Sequence, residues 1–371
     1  MKTVCPQNQC AGCKACVDIC PTNSIEVHDS LAYLNAVINT ETCINCNLCH
    51  RVCQVNNPAH LYKPAKWLEG WAEAETRATS SSGGFGQELM RSFIGRGGSV
   101  AACKLINGDF EYTIVESDGD LASFIGSKYV KSNPIGIYKK INELLKSGRK
   151  VLFIGLPCQV SAVQNYVPES LQKKLYVVDL ICHGSPSVRL LQKSLNEYGY
   201  DIKQVQSVLF RKNIHFGLEV NHKKVLPENV TDRYTLAFLR GLCYTENCYT
   251  CHYARTERVG DLTIGDSWGT KNQDELNKGI SLILCQTEKG NELIKEMQFR
   301  FEEADINNAI TSNQQLVHPS IIPEQRDAFF RNIRHGMGFN KAVGRAYPKD
   351  CFKQDVKLKL DKMGILKSNA K

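Results

Sequence analysis

Apolar positions beyond residue 66 come in two rhythms. Short apolar runs at 67–72, 99–105, 111–116, 151–154 and 175–181 predict strands, while helical spacing at 84–95, 137–147, 159–167 and 187–198 predicts helices. Strand and helix alternate, which predicts an α/β portion with a mostly parallel or mixed sheet. Function in such a sheet collects in the loops at strand ends. The first 60 residues follow another pattern. Only brief apolar pairs, Ile25 with Val27 and Ala36 with Ile38, fit short hairpin strands there, and 54–66 turns polar, with Pro58 and Pro64, as a linker does. The expected fold class is α+β, a small N-terminal module ahead of an α/β body.

Cysteine spacing gives that small module its chemistry. The run Cys10-x2-Cys13-x2-Cys16-x3-Cys20 returns as Cys43-x2-Cys46-x2-Cys49-x3-Cys53, every cysteine 33 residues after its counterpart, so the stretch is an internal duplication. Three thiolates on one tight loop can hold three corners of an iron-sulfur cube, and the fourth must come from elsewhere. The fourth ligands therefore cross over. One 4Fe-4S cluster takes Cys10, Cys13, Cys16 and Cys53; the other takes Cys43, Cys46, Cys49 and Cys20. Zinc is the alternative, but its sites use separated cysteine pairs and need no third cysteine two residues on. Residues 1–60 resemble a bacterial-type two-cluster ferredoxin. Cys5 precedes the first run and reads as a non-ligand, and Cys53-Gln54 stands where the first run has Cys20-Pro21.

Composition narrows the class. The chain has 371 residues and is 42% hydrophobic, enough for two or three domains with real cores. No apolar run approaches the ~18 residues of a membrane span, and Met1 leads straight into the cluster motif, so a cytoplasmic protein without signal peptide is expected. Seventeen cysteines, clustered in ligand spacing, imply a reducing compartment, that of an anaerobe. The formal charge of +8 invites a nucleic-acid reading. Each oxidised cluster with its thiolates carries about −2, which removes most of that surplus. No basic stripe with interleaved aromatics is present, so no nucleic-acid partner is expected. The Lys/Arg-rich stretch after Arg331 reads as a solvated C-terminal helix.

Four loops of the body carry candidate chemistry. Ser80-Ser81-Ser82-Gly83-Gly84 opens a helix and can cradle a phosphate or simply cap the helix. Gly155-Leu156-Pro157-Cys158 and Asp179-Leu180-Ile181-Cys182-His183-Gly184 follow strands, and Cys248-Tyr249-Thr250-Cys251-His252 leads to Gly265-Asp266-Ser267-Trp268-Gly269. Two single cysteines and one pair supply four thiolates, enough for a third cluster; a mononuclear metal or buried free cysteines are the alternatives.

These loops, with Gly-Ser-Lys-Tyr-Val-Lys-Ser at 126–132, occur in an order that resembles the coenzyme F-420 hydrogenase/dehydrogenase beta-subunit family over about residues 65–345. The resemblance implies FAD with a 4Fe-4S cluster beside it. It puts FAD on Ser81, Ser82, Gly83, Gly84, Ser127, Lys128 and Tyr129 and near Gly155 and Pro157. It makes Cys158, Cys182, Cys248 and Cys251 the ligands of the third cluster, with Cys243 in reserve. Cys103, Cys285 and Cys351 read as packed free thiols. The implied domains are 1–60, the two-cluster module; 61–345, the FAD and 4Fe-4S body; and 346–371, a basic tail.

The implied function is an FAD-dependent iron-sulfur oxidoreductase. Single electrons pass from a ferredoxin or other redox protein through the clusters to FAD and on to a hydride-accepting small molecule, coenzyme F-420 or another, because flavin joins one-electron and two-electron chemistry. The alternative is an electron-transfer subunit of a larger redox complex, with no substrate of its own. His183 is the candidate proton donor and Lys271 the candidate contact for an acidic substrate group, against bland roles as a hydrogen bond to a cluster sulfur and a solvated lysine. Arg211 and Arg255 carry the same ambiguity as Lys271, and Asp261 and Asp266 read as turn caps.

Overall fold

The computed structural model describes residues 2–365. At the N-terminus β1 (Ile25–Asp29) and β2 (Leu34–Ile38) form an antiparallel hairpin, as the apolar pairs predict. The duplication is visible in the backbone. Gly12 and Asn45, 33 residues apart, both have positive φ, as do Lys14 and Asn47. The short helices Ala15–Ile19 and Leu48–Val52 follow, and each ends on a cysteine, Cys20 or Cys53, in extended conformation.

The body is built on an eight-stranded mixed sheet of β3 (Lys66–Trp71), β4 (Ser99–Ile106), β5 (Asp109–Val115), β6 (Val151–Ile154), β7 (Leu175–Leu180), β11 (Leu262–Asp266), β12 (Ser281–Cys285) and β13 (Arg300–Glu303), ordered β13-β3-β12-β11-β7-β6-β4-β5. The four strands β4, β6, β7 and β11 run parallel, and antiparallel partners extend the sheet on both sides. The central strands are apolar at almost every position, as burial on both faces requires: Val151, Leu152 and Phe153 of β6 are fully buried. Between β7 and β11 lies a three-stranded meander of β8 (Val208–Lys212), β9 (His215–Val220) and β10 (Lys223–Lys224).

The strand and helix bounds read from periodicity fall within two residues of those observed from 66 to 198. Two expectations change. One core cluster contains Cys13, Ala15 and Ile25 together with Ile141, Phe153, Val163 and Val177, so the small module shares its core with the body instead of hanging on a free linker. Asp18 reinforces the joint by accepting from the Gly136 N–H at the start of the helix Ile137–Lys146, and Tyr138 donates to the Cys13 carbonyl at 2.6 Å. The basic C-terminal stretch is not a single solvated helix either. It forms the helices Arg326–Arg334, Phe339–Ala346 and Pro348–Lys362, and Phe330, Phe339 and Val343 are buried. Residues 366–371 of the expected tail lie outside the described residues. No helix among those described is long and apolar enough to cross a membrane.

Candidate functional site: three thiol groups and a cleft

Eleven of the twelve cysteines, all but Cys46, fall into three groups linked in series by electrostatics. Cys49 stands in the field of Cys20 and Cys43, and Cys16 in that of Cys10, Cys53 and Cys49. Cys13 feels burial first, then Cys16, Cys10 and Cys53, and beyond its own group Cys158. Burial raises Cys158, Cys182 and Cys251 first, and the neighbouring Cys248 adds to each. The Cys158 thiol is pushed up to about 12 by burial, with Lys131 pulling the other way. Exposure grades along the series. Cys46 is exposed, beside Ile44 at 63%, whereas Cys10, Cys13, Cys16 and Cys53 are buried. Among the described residues no three His, Cys, Asp or Glu side chains converge on a single ion-sized point.

The donor set fits iron-sulfur cubes. Backbone N–H groups reach two of the sulfurs, Gly12 to Cys10 Sγ at 3.4 Å and Ser24 to Cys20 Sγ at 3.3 Å, the kind of contact that stabilises a thiolate. Cys5, read as a non-ligand, lines the same small cavity as Cys10, Cys13, Cys16 and Cys53. Their closeness raises the proton affinity of the Cys5 thiol and lowers that of Cys10 and Cys53.

The third group is assembled by strand ends. Cys158 lies in the first turn of the helix Pro157–Tyr166 just after β6, Cys182 follows β7, and the loop with Cys248 docks on the Cys182 loop through the bridge between Pro186 and Tyr244. Gly184 has φ +143, and a Cβ there would lie 2.4 Å from the Tyr244 ring, so only glycine permits that docking. Cys243 does not join the group. It is fully buried in a separate core with Tyr234, Leu242 and Phe329.

At the carboxyl ends of β6, β7 and β11 opens a cleft of about 530 Å³, where ligands of parallel sheets bind. Its wall includes Cys182. The structure brings to it Ser81, Ser82, Gly84, Ser127, Lys128, Tyr129, Gly155 and His183 of the expected residues. The amino end of the helix Phe85–Gly95 also opens there through Gly86 and Gln87. Gly155 has no room for a side chain, since a Cβ would lie 2.8 Å from Tyr112 Oη. Its loop is held by Gln159, which accepts from Tyr112 and from the Leu156 N–H and donates to Ser132.

Three expected residues stand elsewhere. Gly83 packs against the sheet, where a Cβ would meet the Gly70 carbonyl at 2.4 Å, so it serves the fold and not the cleft. Pro157 starts its helix behind the wall. Lys271 is 76% exposed and pairs with Asp305 at 2.9 Å, outside the cleft.

Other residues proved more central than the sequence suggests. Arg211 is buried and makes a two-pronged pair with Asp266 at 2.6 and 2.7 Å. Its remaining protons go to Asn213, Tyr129 and the Ser81 carbonyl, so it braces the wall and has no free donor. Around it Phe238, Tyr129, Phe216 and Trp268 form a ladder of near-parallel rings, 4.3, 6.0 and 6.4 Å apart. Tyr129 is pushed up to about 12 by burial, with Arg211 opposing. Cys103, expected as a packed thiol, lines the cleft and is pushed up to about 12 by burial. The His183 side chain is exposed to solvent in the open cleft, yet crowding by its walls holds the imidazole below its usual value, with Asp266 raising it and Arg211 lowering it. No periodicity marks Arg211, because its partners come from distant segments.

Thiol groups in series beside a cleft at a parallel sheet edge define an iron-sulfur redox protein. Comparison with known proteins is more specific. The family model for the C terminus of the coenzyme F420 hydrogenase/dehydrogenase beta subunit matches residues 148–308, from just before β6 to beyond β13, and a 4Fe-4S dicluster domain matches residues 9–57. Residues 148–308 therefore carry the C-terminal domain of the coenzyme F420 hydrogenase/dehydrogenase beta-subunit family, with a dicluster ferredoxin module in front. It is an iron-sulfur electron-transfer protein related to those subunits. A solved chain from the F420-reducing [NiFe] hydrogenase complex from Methanosarcina barkeri is similar at 16% identity and TM-score 0.47, over 71% of this chain and 97% of that one. No curated protein matches the sequence.

Proposed function

We propose that the protein is an FAD-dependent iron-sulfur oxidoreductase. Residues 1–60 act as the electron-entry module and 61–345 as the redox body, with Cys158, Cys182, Cys248 and Cys251 holding a third 4Fe-4S cluster. The observation that carries this reading is that Cys182 belongs both to the third thiol group and to the wall of the cleft. An electron arriving at that group is already beside a bound molecule.

FAD in the cleft would supply the exchange between one-electron and two-electron transfer. The chain's own residues do the rest. N–H groups at the start of the helix Phe85–Gly95 favour a phosphate, and the bare backbone at Gly155 allows close approach of a planar ring. Tyr129, stacked between Phe238 and Phe216, and the Arg211–Asp266 pair keep the wall rigid. His183 faces the cleft and, as an imidazole, is the group there suited to deliver a proton to a small-molecule substrate. Cys46 and Ile44 mark the surface where a ferredoxin or other redox protein docks.

Cofactor analysis of anaerobically prepared protein tests the reading: about twelve irons and one FAD are expected. Eight irons would remove the third cluster, and absence of flavin would overturn the cleft assignment.

A second reading, electron transfer inside a larger complex, is favoured by one observation. Val317, Ile321 and Ile322 are exposed on the segment that Ser320 ties to the His183 carbonyl. Co-purification with a large subunit, and no activity alone, would select it.

A further inference from the structure

The segment 126–132 lends Ser127, Lys128, Tyr129 and Ser132 to the cleft, but Lys131 turns away from it. Lys131 is buried, at 9% exposure. Its backbone N–H donates to Pro186 at 2.8 Å, on the loop that follows Cys182. Its ammonium donates to the Ala11 carbonyl at 3.0 Å, on the loop between Cys10 and Cys13. Lys131 therefore joins the two loops, holding the one after Cys182 by its backbone and the one between Cys10 and Cys13 by its side chain.

Two observations show that the loop is shaped around it. A Cβ on Gly12 would lie 2.9 Å from Lys131 Cδ and 2.6 Å from Leu34 Cδ1. The duplicate loop has Asn45 at the equivalent position, also with positive φ, so the backbone angle alone does not call for glycine. A buried ammonium also needs compensating negative charge. Burial lowers its proton affinity, and the compensation comes from Cys248, Cys158, Cys10 and Cys182, thiols of both groups, which together raise it.

We propose that Lys131 is an electrostatic positioning residue shared by two clusters: its fixed positive charge favours the one-electron-reduced form of both the Cys10/Cys13/Cys16/Cys53 and the Cys158/Cys182/Cys248/Cys251 centres. Reduction adds one negative charge to each centre, and a buried cation between them stabilises that charge wherever it resides. Neither centre then becomes a trap for the electron. The inference rests on the cluster assignment proposed above.

The test is an EPR-monitored redox titration of the full chain, prepared anaerobically, with iron content measured on the same samples. In Lys131→Met both inner centres should become harder to reduce by about tenfold, ~59 mV for a one-electron couple. The outer centre should stay put, and Lys131→Arg should keep most of the wild-type midpoints. Unshifted midpoints in Lys131→Met at full iron content overturn the inference alone, as does an equal shift in Lys131→Arg. About eight irons in the wild type overturn the cluster reading on which it rests. Should Lys131→Met fail to assemble, Lys131→Gln replaces it. Failure of both, with Arg assembling, supports the charge; failure of all three overturns it.

Discussion

Arg258 Nη2 donates to Asp179 Oδ1 at 2.8 Å with both side chains almost wholly buried, and the same guanidinium bonds the carbonyls of Tyr253 and Leu180. It joins the end of β7, which leads to Cys182, to the loop that carries Cys251. Removing one partner strands a buried charge, whereas removing both does not. Arg258→Met alone is expected to cost about 3 kcal/mol of stability and to lower iron content, and the double variant with Asp179→Asn should recover part of the stability. Anaerobic urea unfolding with iron analysis checks both.

Cysteine replacement separates ligands from packed thiols. Cys182→Ser should reduce iron from about twelve to about eight per chain. Cys243→Ser should leave iron unchanged and cost about 1–3 kcal/mol, the penalty of a hydroxyl in an apolar core. Iron loss in Cys243→Ser would return that residue to the ligand set.

Gly83 and Gly86, which follow the three serines, should behave oppositely. Gly83→Ala forces a Cβ against the Gly70 carbonyl and should prevent folding. Gly86→Ala meets nothing closer than 3.7 Å and lies in a helix, so stability should be unchanged or up to ~1 kcal/mol higher. Its methyl projects into the cleft wall, and flavin retention on gel filtration should fall. Full retention would argue against a cofactor at that helix end.

The two N-terminal centres should differ in what their loss does to the fold. Cys46 is exposed and Cys13 lies in the shared core. Cys46→Ser should lose one cluster and leave the unfolding midpoint of the body nearly unchanged. Cys13→Ser should lower it, because the buried loop then surrounds a missing or incomplete cube. Equal midpoints would mean that the shared core does not depend on the inner centre.

What the sequence made legible was local. Ligand spacing marked the stretch that matches a 4Fe-4S dicluster domain, and the rhythm of apolar residues located β3 to β7 closely. The serine-glycine loop was found, but the division of labour between Gly83 and Gly84 depends on where β3 and β12 pass, which no local pattern records. Lys271 looked promising because it follows a glycine-rich turn, yet that turn aims it at Asp305 and solvent. Arg211, Asp266 and Cys103 acquire their places from contacts between segments many residues apart. The burial of Phe339 and Val343 was hidden by the basic residues around them, which occupy the opposite faces of their helices.

The core that Cys13 and Ala15 share with Phe153 and Val177 has a kinetic consequence. Electron transfer needs a fixed spacing between its stations, and here interlocked side chains fix the Cys10/Cys13/Cys16/Cys53 group against the body. An electron passing from the small module to the body, as proposed above, therefore waits on no domain closure.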